Sequence, residues 1–371
     1  MNRIRFPSSG LVLGTIVATL ILACKGSTQI PASPRPSFPQ PTLDFFDATA
    51  VHPDARGFQM AVYDAVGKRA ILIPWGGGMD DPLGILLGYH PDQDFFAVEG
   101  YEAIDLTSLI DPAAQGFAGA FIDDAGDRLY FVPFRKDIGS GIEPNGLAIP
   151  FDLRVELTDR SAYEIFDLTT LPSPPPRIGW AAGAFMDGFP YYSPVVEAHD
   201  TYIPHGYLLR FDTTKAFDNP NAWDWYDLIE YVHRSAWGFQ SNAVIFPWFF
   251  LIPFGVGNSV TLRYDASRPF TEHDSFEAFD LATLNTEAKG FTGGVVLGDD
   301  LVLIPWRDCS RPPLQESTSV AALYDTRMPL SNPDAWSFID LTLVHPDARG
   351  YMFGWLDQNG FVHFVPAANF A

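Results

Sequence analysis

The chain has 371 residues and a formal net charge of −22, from 45 acids against 23 bases, with 47% hydrophobic and 15% aromatic residues. That apolar content excludes a disordered chain, and 31 glycines and 32 prolines scattered without a period of three exclude collagen and coiled-coil architectures. The acid excess argues against nucleic acid as a partner, because phosphate attraction needs a basic surface.

Taken in chain order, the first element is an address. Arg3 and Arg5 precede an apolar run from Leu11 to Ala23, and no acid occurs before Asp44. The run is short for a membrane span and has the length of a signal-peptide core. It ends in Leu20-Ile21-Leu22-Ala23-Cys24, which resembles the lipobox of bacterial lipoproteins, with Ile21 in place of the commoner Leu. The resemblance implies that residues 1–23 are removed and that Cys24 becomes the acylated N-terminus. The protein is then anchored to the cell membrane or outer membrane, facing the periplasm or the exterior. An ordinary secretory signal or an uncleaved anchor is the alternative. Residues 24–42, with five prolines, read as a semi-rigid tether in an extended polyproline conformation. Cys24 and Cys309 are the only cysteines, so a lipidated Cys24 leaves no intramolecular disulfide and the fold must rest on its core.

From residue 43 to 371 the sequence repeats. An aromatic-rich block ending in Asp recurs at Asp47, Asp105, Asp167, Asp227, Asp280 and Asp340. About ten residues after each stands Gly plus an aromatic: Gly57-Phe58, Gly116-Phe117, Gly179-Trp180, Gly238-Phe239, Gly290-Phe291 and Gly350-Tyr351. An apolar run closed by Pro follows, as in AILIPW and LVLIPW, and then a third run such as VTLRYD (260–265). Four short β-rich segments in each ~60-residue unit are the signature of a propeller blade. The expectation is a single all-β domain, a six-bladed β-propeller closed by N- and C-terminal strands, the sixth blade lacking a clear third strand. Five blades with an appendage is the alternative.

The Tyr/Phe-Asp pairs ending third strands (Phe211-Asp212, Tyr264-Asp265, Tyr324-Asp325) and Trp223 and Trp336 opening fourth strands make residues 43–366 resemble kelch-type propellers. The Gly-Gly doublet of kelch repeats is replaced by Ile/Val-Pro-aromatic, so the resemblance implies architecture and no particular chemistry.

Propeller topology places one set of loops at the mouth of a central channel. There the repeat sets Arg56, Arg177, Lys289 and Arg349, with His52 and His345 upstream and Trp75 and Trp306 after the second-strand prolines. Guanidinium forks beside aromatic faces suit a carboxylate, sulfate or phosphate, or an anionic sugar. The competing reading pairs these cations with loop acids such as Asp54 and Asp347, fastening the repeat to itself. Acids of the opposite loops, among them Asp123, Asp124 and Asp127, would make the other face negative.

Sharper chemistry is thinner. Glu197, His199, Asp200 and His205 share one loop and could hold a first-row metal, and Asp123, Asp124 and Asp127 could hold Ca²⁺; a polar loop and a plain turn are the readings preferred. Cys309 lies among Arg307, Asp308 and Arg311 without an orienting base. No cofactor or metal is assigned. The expected protein is a monomeric, membrane-anchored binding or scaffold module for an anionic glycan or a protein. The alternative is a hydrolase, lyase or isomerase acting on an anionic saccharide, with His199, His205 or His233 as acid/base.

Overall fold

The structure is a computed structural model that describes residues 4–5, 46–76, 81–175, 177–195, 205–254, 258–311 and 314–366. The leader, the lipobox with Cys24 and the Pro-rich tether therefore lie outside the described residues, apart from Ile4 and Arg5. No helix among the described residues is long and apolar enough to cross a membrane.

After β1 (Ile4–Arg5) the first blade comprises β2 (Phe58–Asp64), β3 (Arg69–Pro74), β4 (Ile85–Tyr89) and β5 (Tyr101–Asp105). The second holds β6 (Phe117–Ile122), β7 (Arg128–Pro133), β10 (Leu147–Asp152) and β11 (Phe166–Asp167), with a hairpin, β8 (Arg135–Asp137) and β9 (Ile142–Pro144), rising between its second and third strands. The third is β12 (Trp180–Met186), β13 (Phe189–Pro194), β14 (Tyr207–Phe211) and β15 (Trp223–Asp227); the fourth is β16 (Phe239–Ile245), β17 (Trp248–Pro253), β18 (Val260–Asp265) and β19 (Phe276–Asp280). The fifth holds β20 (Phe291–Leu297), β21 (Asp300–Pro305), β24 (Val320–Asp325) and β25 (Trp336–Asp340), with a second hairpin of β22 (Arg307–Arg311) and β23 (Leu314–Ser317). A last sheet contains β26 (Tyr351–Leu356) and β27 (Phe361–Pro366), with β1 pairing beside β27.

Each four-stranded sheet is antiparallel and ordered as in the chain, and the first strands of successive sheets pack side by side from β2 through β6, β12, β16 and β20 to β26. This is the all-β propeller of four-stranded blades that the repeat implies. Each seam buries one sheet face against the next: Phe121 stacks on Tyr130 and meets Tyr192 of the next blade edge-on at 5.5 Å. Apolar second strands such as Trp248–Pro253 are buried on both faces, which explains their unbroken hydrophobic runs.

The recurring Asp residues have one job. Asp47, Asp105, Asp167, Asp227, Asp280 and Asp340 each cap a short helical turn, their carboxylates accepting the backbone N–H two residues on. Acids of the opposite face are also turn formers. Asp123 accepts from the amides of Asp127 and Arg128, and Asp64, fully buried, accepts from Val66 and Gly67 while pairing with Arg69.

Candidate functional site

The motif Ala-X-Gly-aromatic builds the channel mouth. Ala55, Ala114, Ala236, Ala288 and Ala348 are buried, and the following Gly57, Gly116, Gly238, Gly290 and Gly350, with Gly179 in the third blade, all take φ between 63° and 109°. The requirement is strict at Gly116, where a Cβ would meet the Arg135 carbonyl oxygen at 2.2 Å. Each turn delivers a β-bulge to the start of a first strand. The extra residues are Gln59, Ala118, Ala181, Gln240, Thr292 and Met352. A bulge re-aims its side chain, and all six line one central cavity of ≈ 230 Å³.

Between them the wall is made of small residues such as Gly119, Gly183 and Gly294, with Ser241 and Asn242 adding polar groups. Among the described residues, no Asp, Glu, Lys, Arg or His lines this cavity. One residue before each glycine, Arg56, Gln115, Ile178, Trp237, Lys289 and Arg349 occupy equivalent positions, three of them cationic.

The structure places the sequence-selected residues as follows. Arg56 is exposed and pairs with Asp81 at 3.3 Å and Asp54 at 3.8 Å. Arg349 donates to the Pro346 carbonyl at 3.0 Å. Lys289 and Arg349 are half-buried at the same register, and Arg177 sits one place further back, also half-buried. His52, His233 and His345 each accept, through Nδ1, the amide two residues on (Asp54, Ser235, Asp347), all at 3.2 Å. These rings therefore cap the turn leading to the rim.

Trp75 and Trp306 lie after the second strands, where their backbone amides donate to Gly57 and Gly290. The Arg135 guanidinium lies 4.1 Å over the Trp75 ring, and the Arg307 guanidinium lies 3.7 Å over that of Trp306, which also stacks on Phe254 at 5.0 Å. Trp306 is 7% exposed, and its Nε1 has no hydrogen-bond partner among the described residues. A buried indole N–H without an acceptor is unfavourable by about 1–3 kcal/mol, and a ligand acceptor placed there recovers it.

In the third blade an imidazole replaces the backbone amide. His205, 1% exposed, donates through Nε2 to the Gly179 carbonyl at 2.7 Å and accepts the Tyr207 amide at Nδ1. Burial drives its pKa down to about 4, against the opposing effect of the Gly179 hydrogen bond. Both ring nitrogens thus serve the blade. Glu197, His199 and Asp200 lie outside the described residues. Cys309 falls on β22, and no group of three or more His, Cys, Asp or Glu residues placed to hold a metal occurs among the described residues. Asp127, considered above for Ca²⁺, pairs with Arg154 at 3.2 Å.

Gln59 and Gln240 were not foreseen from the sequence, although the tripeptide Gly-Phe-Gln recurs at 57–59 and 238–240 and marks both. What hid them is the bulge: a strict period of two gives a glutamine one face, and the extra residue turns it to the other.

No family model matches the chain, and no curated protein matches it. Among solved structures it is similar to one titled "Structure of YjhT", at 12% identity over 83% of this chain and 90% of that one, with a TM-score of 0.49. At that level the similarity bears on neither ligand nor chemistry.

Proposed function

We propose that this protein is a binding module whose channel mouth takes an anionic ligand, an acidic glycan or an acidic segment of a protein, and that Cys24 anchors it to an extracytoplasmic membrane surface. The observation that carries the ligand reading is Trp306: a buried indole N–H with no acceptor among the described residues, and a guanidinium 3.7 Å over the ring. Lys289 and Arg349 at the rim supply further positive charge in a chain of net charge −22. Arg forks and ordered aromatic faces together recognise carboxylate- or sulfate-bearing rings. The small-residue wall below, neutral among the described residues, supports a binding reading, since it offers a shaped cavity. The anchor reading is supported by the basic start, apolar run and Ala23-Cys24 of the leader.

Calorimetric titration with a panel of uronic-acid, sialylated and sulfated oligosaccharides and acidic peptides tests the ligand. Trp306→Phe keeps the ring and removes the N–H, and should weaken binding about tenfold or more, as expected for a hydrogen bond to a charged group. Lys289→Ala and Arg349→Ala should weaken it further at low salt than at high salt. Binding unchanged in all three variants sinks the site. Labelling with a radioactive fatty acid, lost in Cys24→Ser, tests the anchor separately.

A further inference from the structure

Gln59 of β2 and Gln240 of β16 line the central cavity with carboxamides that the rest of the described chain does not satisfy. Neither side chain makes a hydrogen bond to a described residue, and the Oε1 of each is buried without a donor. The other polar side chains of the lining are engaged. Asn242 donates to the Ser193 hydroxyl at 3.0 Å, Thr292 to the Met352 carbonyl at 2.5 Å, and Ser241 to the Asn242 carbonyl at 3.5 Å. A buried amide oxygen without a donor is unfavourable, and a leucine of similar size would avoid that cost. Packing therefore does not account for glutamine at either place.

Topology sets the two amides apart. The first strands pack in the series β2, β6, β12, β16, β20 and β26, and all six contribute to the lining of the cavity. In that series β16 is the third strand on from β2, which puts Gln59 and Gln240 on opposite walls. Both are the extra residue of their bulge, so they stand at one level.

Two glycines of the wall add a second observation. Gly293 lies inside β20 without a positive φ, and a Cβ there would meet, among the described residues, Ile304 Cδ1 and Ser241 Oγ, each at an ordinary 3.6 Å. Gly119 in β6 would meet the flexible end of Met60, at 3.2 and 3.3 Å. Glycine weakens a strand interior, and it marks places where another group comes close. Neither backbone strain nor core packing asks for glycine at these positions; room in the cavity does.

We propose that the central cavity is a second binding site, distinct from the mouth, and that it takes a small neutral polyol, a monosaccharide or a cyclic polyol, held between Gln59 and Gln240. Rotation about the last side-chain bond exchanges the oxygen and the NH₂ of an amide, so each glutamine can accept from one ligand hydroxyl and donate to its neighbour. Neutrality follows from the lining, which carries no charged side chain among the described residues: a charged ligand would lose its hydration there without a partner. At ≈ 230 Å³ the cavity is smaller than the roughly 300–1,000 Å³ of drug-sized pockets, which limits the ligand to about one ring. Phe353 is the one aromatic residue described in the lining, so a flat heterocycle finds no pair of faces to stack between. The C–H groups of a sugar ring find apolar contact at Met60, Ile304 and Phe353.

Calorimetric titration of the full chain with glucose, galactose, mannose, xylose and myo-inositol tests the site. At least one should bind at millimolar concentration or below, with equal affinity at low and high salt, since no charge takes part. Gln59→Leu and Gln240→Leu should each weaken that binding about tenfold or more, while the thermal midpoint stays at or above that of wild type. Gly293→Val fills the cavity from a position able to hold a Cβ and should weaken binding at least as much. No binding by any member of the panel overturns the proposal. Unchanged affinity in any of the three folded variants, or binding that falls as salt rises, overturns it as well. The acidic oligosaccharides and peptides of the mouth site are titrated alongside, so failure of one site is told apart from failure of the other.

Discussion

At His205 a single ring does the work that a backbone amide does in the neighbouring blades, and that choice makes the third blade pH-sensitive. Folded, the buried imidazole takes up a proton only near pH 4, whereas the ordinary value is 6.5. Between those values the unfolded chain binds more protons than the folded one, so stability from this group is complete above about pH 6.5 and is lost as pH falls toward 4. The shift corresponds to roughly 3 kcal/mol. Urea denaturation midpoints should therefore fall between pH 6.5 and 4.5, and His205→Gln should flatten that slope while lowering stability at pH 7. An equally steep slope in the variant would assign the pH dependence elsewhere. Gly116 is the second residue of this kind. Gly116→Ala adds a clash with the Arg135 carbonyl to its positive φ and should cost about 2–3 kcal/mol, whereas Gly126→Ala, with φ +75° and open space, should cost about 1. Equal losses would mean that the turn relaxes freely.

Among elements, the capped turns after the fourth strands are the repeating device. Asp105 accepts from the Thr107 and Ser108 amides and from both hydroxyls, and Asp340 accepts from Thr342 and from the Ser319 hydroxyl. Asp105→Ala or Asp340→Ala should each lower stability by about 1–2 kcal/mol, and the double variant by about their sum, because the two caps belong to different blades. Thermal unfolding checks both values; a double loss no larger than either single one would mean the caps share one role. These elements were legible in the sequence because the physics behind them is local: a cap needs Asp at a fixed place, a positive-φ turn needs Gly, and a buried second strand needs an unbroken apolar run. The bulge was not legible, since Gln59 and Gln240 reach the channel only through an extra residue that no period reveals. The rim was half legible: the repeat put Arg56, Lys289 and Arg349 at one register, while the stacking of Arg135 on Trp75 joins the first two blades, a contact between residues 60 positions apart that no local pattern reveals.

Across the whole molecule, blades are fastened by arginines drawn from one blade into the next. Arg69, almost fully buried, pairs with Asp64 and Glu102 of its own blade and donates to the Val155 carbonyl of the second. Arg210 lies over Phe189 of its own blade and Phe270 of the fourth, at 4.4 and 4.3 Å. Arg263 does most: it lies 3.8 Å over Trp248, pairs with Glu277 at 2.8 Å, and donates to the Tyr324 hydroxyl and the Thr326 and Met328 carbonyls of the fifth blade. Such a group carries its charge into a seam where every N–H it loses leaves an acceptor stranded, so its removal is expensive even though surface ion pairs contribute little. Arg263→Ala should destabilise by about 3–5 kcal/mol. Arg263→Met, which keeps the packing against Trp248 but not the donors, should fall between that value and wild type. Arg154→Ala, removing an exposed pair with Asp152 and Asp127, should change stability by less than about 1 kcal/mol. Equilibrium urea unfolding of the three variants decides it. If Arg263→Ala costs no more than Arg154→Ala, the seams are held by apolar faces alone, and the arginines merely occupy space between them.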